Sequence, residues 1–236
     1  MPEGLLLAID TSTRMASVAL AGAGGLVAEY TWHAGMDHTR QLMPVIRAVL
    51  HENGAGAADL EAVAIATGPG SFNGLRVGMA TAKGLAYGLG IALVAATTLE
   101  VAAYQHVATS LPICAVQDVG RGEIAWAVFQ WPVEGEWSRL VAEHITTPEA
   151  LAKSIKRRTI LCGEARDSLL AVLGAALGHR FMVTGPAASV RHAGLLAELG
   201  RRRLVAGETE DLQTLQPLYL RRPSITERKV SAMLRM

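Results

Sequence analysis

The residues of this 236-residue chain that could do chemistry stand at the ends of apolar runs. Leu5 to Ile9 closes in Asp10-Thr11-Ser12-Thr13, a carboxylate followed by three hydroxyls. Such a group could hold a metal-bound phosphate. It could equally be a plain hairpin turn capped by Asp10, since short oxygen-bearing side chains fold back onto nearby backbone N–H groups. Pro112 to Gln117 closes in Asp118, which supplies the second carboxylate that a two-lobed nucleotide site needs. For a glycine-rich loop around adenosine only Cys162-Gly163-Glu164-Ala165 is present, a thin candidate. His38 would be half of a metal pair if the residue four later were also histidine, because i and i+4 side chains share a helix face. That residue is Leu42. No GxSxG, HExxH or Cys-His arrangement occurs, and no base in sequence backs Ser71. The residues therefore give no catalytic group and no metal site.

The elements that position these residues are legible from periodicity. Leu5–Ile9, Met15–Leu20 and Leu26–Trp32 read as a three-strand meander, the last two joined by the Gly22–Gly25 turn. Leu42, Val45, Ile46, Val49 and Leu50 recur at helical spacing, with Pro44 in the early part and Asn53-Gly54 as the stop. A short helix over Ala57–Glu61, a strand over Ala62–Ala66 and a strand over Ala92–Ala96 follow. Between those strands the chain runs through Gly68-Pro69-Gly70 into a helix that Ser71 or Asn73 can cap. Gly74, Gly78, Ala82, Ala86 and Gly90 then recur every four residues, a small-residue strip on which another backbone can lie closely. Leu75 and Met79 flank it. The opposite side, with Val77, Ala80, Gly84, Tyr87 and Gly88, is barely more polar. A helix apolar nearly all round is covered on two sides, one by its own sheet and one by a second helix or chain. Spacing leaves open which side is which. An anion cradle at the Gly-Pro-Gly turn is weaker, because no GxxxxGK[ST] is present.

From Pro112 the pattern restarts: strand, aspartate, tight turn, a strand over Ile124–Phe129, then a strand over Arg139–His144. A helix from Pro148, a strand over Thr159–Cys162 and a helix over Ser168–Leu177 complete it. A long, diverged repeat of this kind is a duplicated lobe rather than a solenoid. The fold class is α/β, a duplicated two-lobed architecture like actin, Hsp70 and the sugar kinases, divided at 1–108 and 109–236. Half of the residues are hydrophobic and 18% are charged, enough for sizeable cores. A net charge of +1 gives no strong field for nucleic acid. The short basic clusters at Lys153–Arg158, Arg201–Arg203, Arg221-Arg222 and Arg228-Lys229 read as solvated faces, and Thr226–Met236 as a loosely held tail. Cys114 and Cys162 lie in apolar strands and read as reduced core residues. With no signal peptide and no membrane-length apolar stretch, the expectation is a cytoplasmic protein without a membrane partner.

Several of these segments together resemble the TsaB (YeaZ) family, the dimerisation subunits of the bacterial tRNA threonylcarbamoyladenosine machinery. They are Leu7-Ala8-Ile9-Asp10-Thr11-Ser12, the His38-Thr39 helix start, the block from Gly68 to Gly78, and Ala80-Thr81-Ala82-Lys83-Gly84-Leu85. The resemblance is close from residue 5 to about 105. It is looser beyond, through Asp118, Arg121-Gly122-Glu123 and Pro217–Arg221. Asn73 stands where the family usually has threonine. The family's catalytic paralogue carries HxxxH, and His38 with Leu42 is similar to the non-catalytic subunit instead. The resemblance implies a scaffold with no tightly bound cofactor, ATP and a divalent metal belonging to partner subunits. It implies a complex with the catalytic paralogue TsaD and, through it, the ATPase subunit TsaE. It further implies a homodimer when alone and an indirect or weak tRNA contact. The partner interface would be a bundle of two helices, with His38, Leu42, Val45, Ile46 and Val49 from one and Gly74, Leu75, Gly78, Met79, Ala82 and Ala86 from the other. Asp10, Thr11, Ser12, Thr13 and Asp118 would be a vestigial phosphate site. The alternative is an independent ATP-binding or metallopeptidase-like enzyme of the same fold, built on Asp10, Asp118 and His38.

Overall fold

A computed structural model describes residues 4–165 and 167–221. The apolar runs become strands covered on both faces. β1 (Leu5–Asp10) is buried throughout, β2 (Met15–Gly22) nearly so, and β3 (Gly25–His33) is the exposed edge. After α1 (His38–Glu52) come β4 (Leu60–Ala66), α2 (Phe72–Leu89) and β5 (Ala92–Ala96), giving a sheet of order β3-β2-β1-β4-β5. β1 pairs antiparallel with β2 and parallel with β4. The second sheet comprises β6 (Ile113–Asp118), β7 (Ile124–Gln130), β8 (Ser138–Thr146), β9 (Thr159–Glu164) and β10 (Phe181–Val183), in the order β8-β7-β6-β9-β10. The two orders correspond strand for strand, so the duplication read from sequence is present in the topology. α4 (Pro148–Ser154) and α5 (Asp167–Leu177) cover one face of the second sheet.

Two helices cross between the lobes. α3 (Thr98–Tyr104), capped by Thr97 Oγ1 accepting from Glu100 N at 3.1 Å, is buried along its whole length. Its Val101 and Tyr104 belong to the core of the first sheet, while Leu99, Ala102 and Ala103 belong to that of the second. α6 (Ala193–Val205) follows the second sheet yet packs Ala193, Leu196, Ala197 and Leu199 on the first. Residues 208–221 then return along the first lobe. Glu210 N donates to Leu93 O, Lys83 Nζ to Leu215 O at 2.6 Å, and Leu218 N to Thr67 O. A division at residue 108 separates the two sheets but not their packing. α3, α6 and β10 were outside the sequence reading, and Ala57–Asp59 is a single 3₁₀ turn whose expected continuation, Leu60-Glu61, opens β4. The expected tail Thr226–Met236 lies outside the described residues.

α2 is capped by Ser71, whose Oγ accepts from Gly74 N at 3.3 Å, and ends at Gly90 in the left-handed region (φ 67°). Its orientation corrects the expected interface. Gly74, Leu75, Gly78, Met79, Ala82 and Ala86 all face inward and are buried. A Cβ on Gly74 would overlap Thr11 O, and one on Gly78 would overlap Thr11 Oγ1 and lie 3.2 Å from Ile65 Cδ1. The close backbone approach that offsets the cost of interior glycines is therefore made to this chain's own β1–β2 turn. On α1, His38, Leu42, Ile46 and Val49 are likewise buried, and Val45 packs half-buried on the same core. The side of α2 that faces out carries Arg76, Ala80, Gly84, Tyr87 and Gly88, with Tyr87 82% exposed.

Candidate functional site

The turn after β1 is densely bonded. Asp10 Oδ1 accepts from Ser12 N at 2.8 Å and from Ser12 Oγ, closing the turn. Thr11 Oγ1 donates to Gly74 O at 2.8 Å, and Ser71 N donates to Ser12 O at 2.6 Å. His38 Nε2 meets Thr13 O at 2.8 Å. His38 thus ties the first turn of α1 to the hairpin, and Leu42 fills the core below it. Asp10, Thr11, Ser12 and Thr13 are all buried. The hydroxyls expected to cradle phosphate are engaged otherwise: Thr11 with Gly74 O, Ser12 with the Asp10 carboxylate, and Thr13 with Met15 O and Glu164.

The position beside Asp10 is filled by Arg191, which sequence inspection missed. Arg191 Nε donates to Asp10 Oδ2 at 2.9 Å, Nη1 to Glu164 Oε1 at 2.6 Å and Nη2 to Thr13 Oγ1 at 2.8 Å. Its side chain is 3% exposed and that of Asp10 is 1% exposed. Burial pulls the guanidinium pKa down. The Coulombic attraction and hydrogen bonds of Asp10 and Glu164 outweigh that and raise it, so the group stays charged. Backbone contacts fix the segment that delivers it: Ala193 N donates to Ser17 Oγ at 3.0 Å, Gly194 N to Glu29 Oε2 at 2.8 Å, and His192 Nδ1 meets Glu29 Oε1 at 2.6 Å. These side chains from β2 and β3 satisfy the free N–H groups at the start of α6. A metal-bound phosphate does not fit this arrangement. A guanidinium stands against the carboxylate, and at the Gly-Pro-Gly turn Ser71 N is already bonded to Ser12 O.

The equivalent turn after β6 is built differently. Asp118 Oδ1 accepts from Gly120 N at 2.7 Å, and Gly120, Arg121 and Gly122 take positive φ of 78°, 59° and 74°. The carboxylate that shares Arg191 with Asp10 is Glu164, at the end of β9, where Gln117 pairs with it in register. Gly163 before it has φ 103°, and a Cβ there would overlap Val116 O, so this glycine serves strand contact rather than adenosine. Among the described residues, no group of three or more His, Cys, Asp and Glu could hold a metal ion, and no helix is long and apolar enough to cross a membrane. Cys114 and Cys162 are free and buried, and burial pushes both thiols up.

Several arginines expected to be solvated are paired instead. Arg203 Nη2 binds both oxygens of Glu100 at 2.8 Å while Nη1 donates to Ala95 O. Arg201 meets Glu61 and Gly4 O, and Arg221 meets Glu123. Lys153, Lys156, Arg157 and Arg158 remain exposed, as read.

The other notable surface is formed by α1 and α2, which lie side by side. α1 exposes Met43, Pro44, Arg47 and Ala48, and α2 exposes Ala80, Gly84, Tyr87 and Gly88. A Cβ on Gly84 or Gly88 would meet nothing within 4 Å. The exposed residues are mostly small or apolar, with Arg47 and Arg76 among them.

Residues 15–154 match the family of TsaD, tRNA N6-adenosine threonylcarbamoyltransferase. The chain belongs to that family. It is 32% identical over 156 residues to tRNA threonylcarbamoyladenosine biosynthesis protein TsaB of Escherichia coli, covering 64% of this chain and 66% of the relative. With TsaB of Bacillus subtilis the identity is 27% over 219 residues, covering 92% and 93%. Among solved structures, YeaZ from Pseudomonas aeruginosa superposes with a TM-score of 0.79 at 25% identity, covering 92% of this chain and all of that one. The resemblance read from the motifs is thereby met, and family and relatives support a role in tRNA threonylcarbamoyladenosine biosynthesis.

Proposed function

We propose that this chain is a non-catalytic scaffold subunit of the assembly that adds threonylcarbamoyl to the adenosine beside the anticodon of tRNA. It pairs with a catalytic TsaD-type paralogue through the outer face of α1 and α2, and with a second copy of itself when alone. The ATPase subunit TsaE joins through that complex. ATP and the divalent metal belong to the partners, and contact with tRNA is indirect or weak. The observation that carries this reading is the bare face itself: Ala80, Gly84, Tyr87 and Gly88 on α2 beside Met43, Pro44 and Ala48 on α1. Exposed small and apolar residues at helical spacing suit a second pair of helices. The non-catalytic part of the reading is supported by Leu42 in the core, His38 held on Thr13 O, and Arg191 in the phosphate position.

The test is mass by light scattering for the chain alone and mixed with a TsaD-type paralogue, using wild type, Ala80→Arg and Gly84→Arg. Wild type is expected to form both dimers, and the arginine variants neither, with no loss of melting temperature because neither site touches the core and arginine is a good helix former. Variants that associate like wild type would place the interface elsewhere. Calorimetric titration with MgATP is expected to give no tight binding to the chain alone. Stoichiometric binding would favour the independent enzyme.

A further inference from the structure

We infer that Arg191 is a positioning residue for the α1–α2 face, acting through the Asp10–Thr13 turn. The inference rests on the reading of that face as the partner surface. Its starting point is that one four-residue turn holds the first turns of both helices. α1 is attached by His38 Nε2 at Thr13 O, and α2 by Thr11 Oγ1 at Gly74 O and by Ser71 N at Ser12 O. The glycines at 70, 74 and 78 leave no gap between α2 and the turn, so a shift of the turn is passed on by contact.

What fixes the turn from its other side is Arg191. Its guanidinium grips the first residue, through Asp10 Oδ2, and the last, through Thr13 Oγ1. The third branch reaches Glu164 on the second sheet. A planar fork with three separate acceptors determines the orientation of all of them, which a single point charge cannot do. Where this fold would otherwise hold a dissociable ligand between its lobes, the chain has a covalent one. The register of α1 against α2 is then constant, independent of any nucleotide, as a docking face requires.

The experiment uses the full chain with Arg191→Met, Arg191→Lys and Glu164→Gln, and measures two things. The first is affinity for the TsaD-type paralogue by calorimetry. The second is amide hydrogen exchange of the free chain at residues 38–42 and 71–76, compared with 113–130 in the second sheet. Arg191→Met is expected to weaken pairing about tenfold, the scale on which residues remote from an interface modulate coupling. Exchange is expected to quicken at both helix starts while 113–130 stays protected. Millimolar methylguanidinium is expected to restore part of both in a fourth variant, Arg191→Ala. Should Arg191→Met fail to fold, Arg191→Lys, which keeps the charge but not the fork, and Glu164→Gln, which leaves the Asp10 and Thr13 contacts in place, decide through the same exchange pattern at smaller amplitude. Unchanged exchange at the helix starts, or an equal loss across all three segments, overturns the inference. If wild type does not bind the paralogue, the reading of the face fails, and the exchange pattern still decides the role of Arg191.

Discussion

The turns that follow β1 and β6 occupy the same place in two copies of one lobe, yet their surroundings are opposite. The first is buried, and its shape is imposed from outside: by the backbone of α2 at Gly70 and Gly74, by His38, and by Arg191 from a segment 181 residues away. The second is half-open, held by bonds within the turn and by Arg221, which meets Glu123 at its end. Asp118 caps it, three consecutive residues take positive φ, and a Cβ on Gly120 or Gly122 would meet nothing within 4 Å. The same strand-aspartate-turn-strand pattern therefore became a packed joint in one lobe and a surface hairpin in the other. What distinguishes them is the burial of the partner that arrives from elsewhere in the chain: Arg191 is enclosed with Asp10, whereas Arg221 meets a part-exposed Glu123.

The contrast can be broken by substitutions, and the largest effect is expected at Arg191. Arg191→Ala leaves Asp10 buried without its cation, and removing one member of a buried ion pair costs about 3–5 kcal/mol. Urea unfolding followed by circular dichroism measures it, and a loss below about 1 kcal/mol would mean that water replaces the guanidinium. Next comes Gly78→Leu. Because Gly78 presses on Thr11 Oγ1 and Ile65, the leucine is expected to destabilise the monomer itself, at the upper end of the ~1–3 kcal/mol typical of overpacking. A variant that melts like wild type but no longer dimerises would return the glycine strip to the interface. In the open turn, Gly120→Ala meets no neighbour and only forces an L-residue to positive φ, about 1–2 kcal/mol. Smallest is Gly84→Ala on the outer side of α2. There helix propensity gains up to ~1 kcal/mol for the monomer, read as a rise in melting temperature.

Much of this architecture was legible in the sequence because it is written in short-range pattern. Continuous apolar runs such as Leu5–Ile9 and Ala62–Ala66 can only be strands covered on both faces, and the restart at Pro112 exposed the duplication. The start of α2 was legible from capping chemistry, in Ser71 or Asn73, whereas Gly90, read as part of the small-residue row, proved to be its left-handed C-cap. What was not legible depends on orientation and on long-range pairing. A helix apolar on both sides does not say which side meets its own sheet, so the strip of Gly74 and Gly78 was assigned to a partner while Ala80 and Gly84 were left aside. Arg191 carried no signal, because a lone arginine in a loop looks solvated until its carboxylates are located in space. Arg203 and Arg221 were misjudged for the same reason, their partners Glu100 and Glu123 lying about a hundred residues away. Glu164 was singled out for its glycine neighbour rather than for its charge, which is what the joint uses.

The central claim, a scaffold whose own phosphate site is closed, is tested most directly by reconstitution. Formation of threonylcarbamoyladenosine on tRNA is measured with this chain alone, and with the TsaD-type and ATPase partners in the presence of wild type, Gly84→Arg or Asp10→Asn. The account expects no product from the chain alone and full activity with wild type in the mixture. It expects activity lost with Gly84→Arg, whose fold is intact, and at least partly kept with Asp10→Asn, since Asp10 serves structure and not chemistry. Product formed by the chain alone, or activity abolished by Asp10→Asn while the variant still binds its partner, would contradict it.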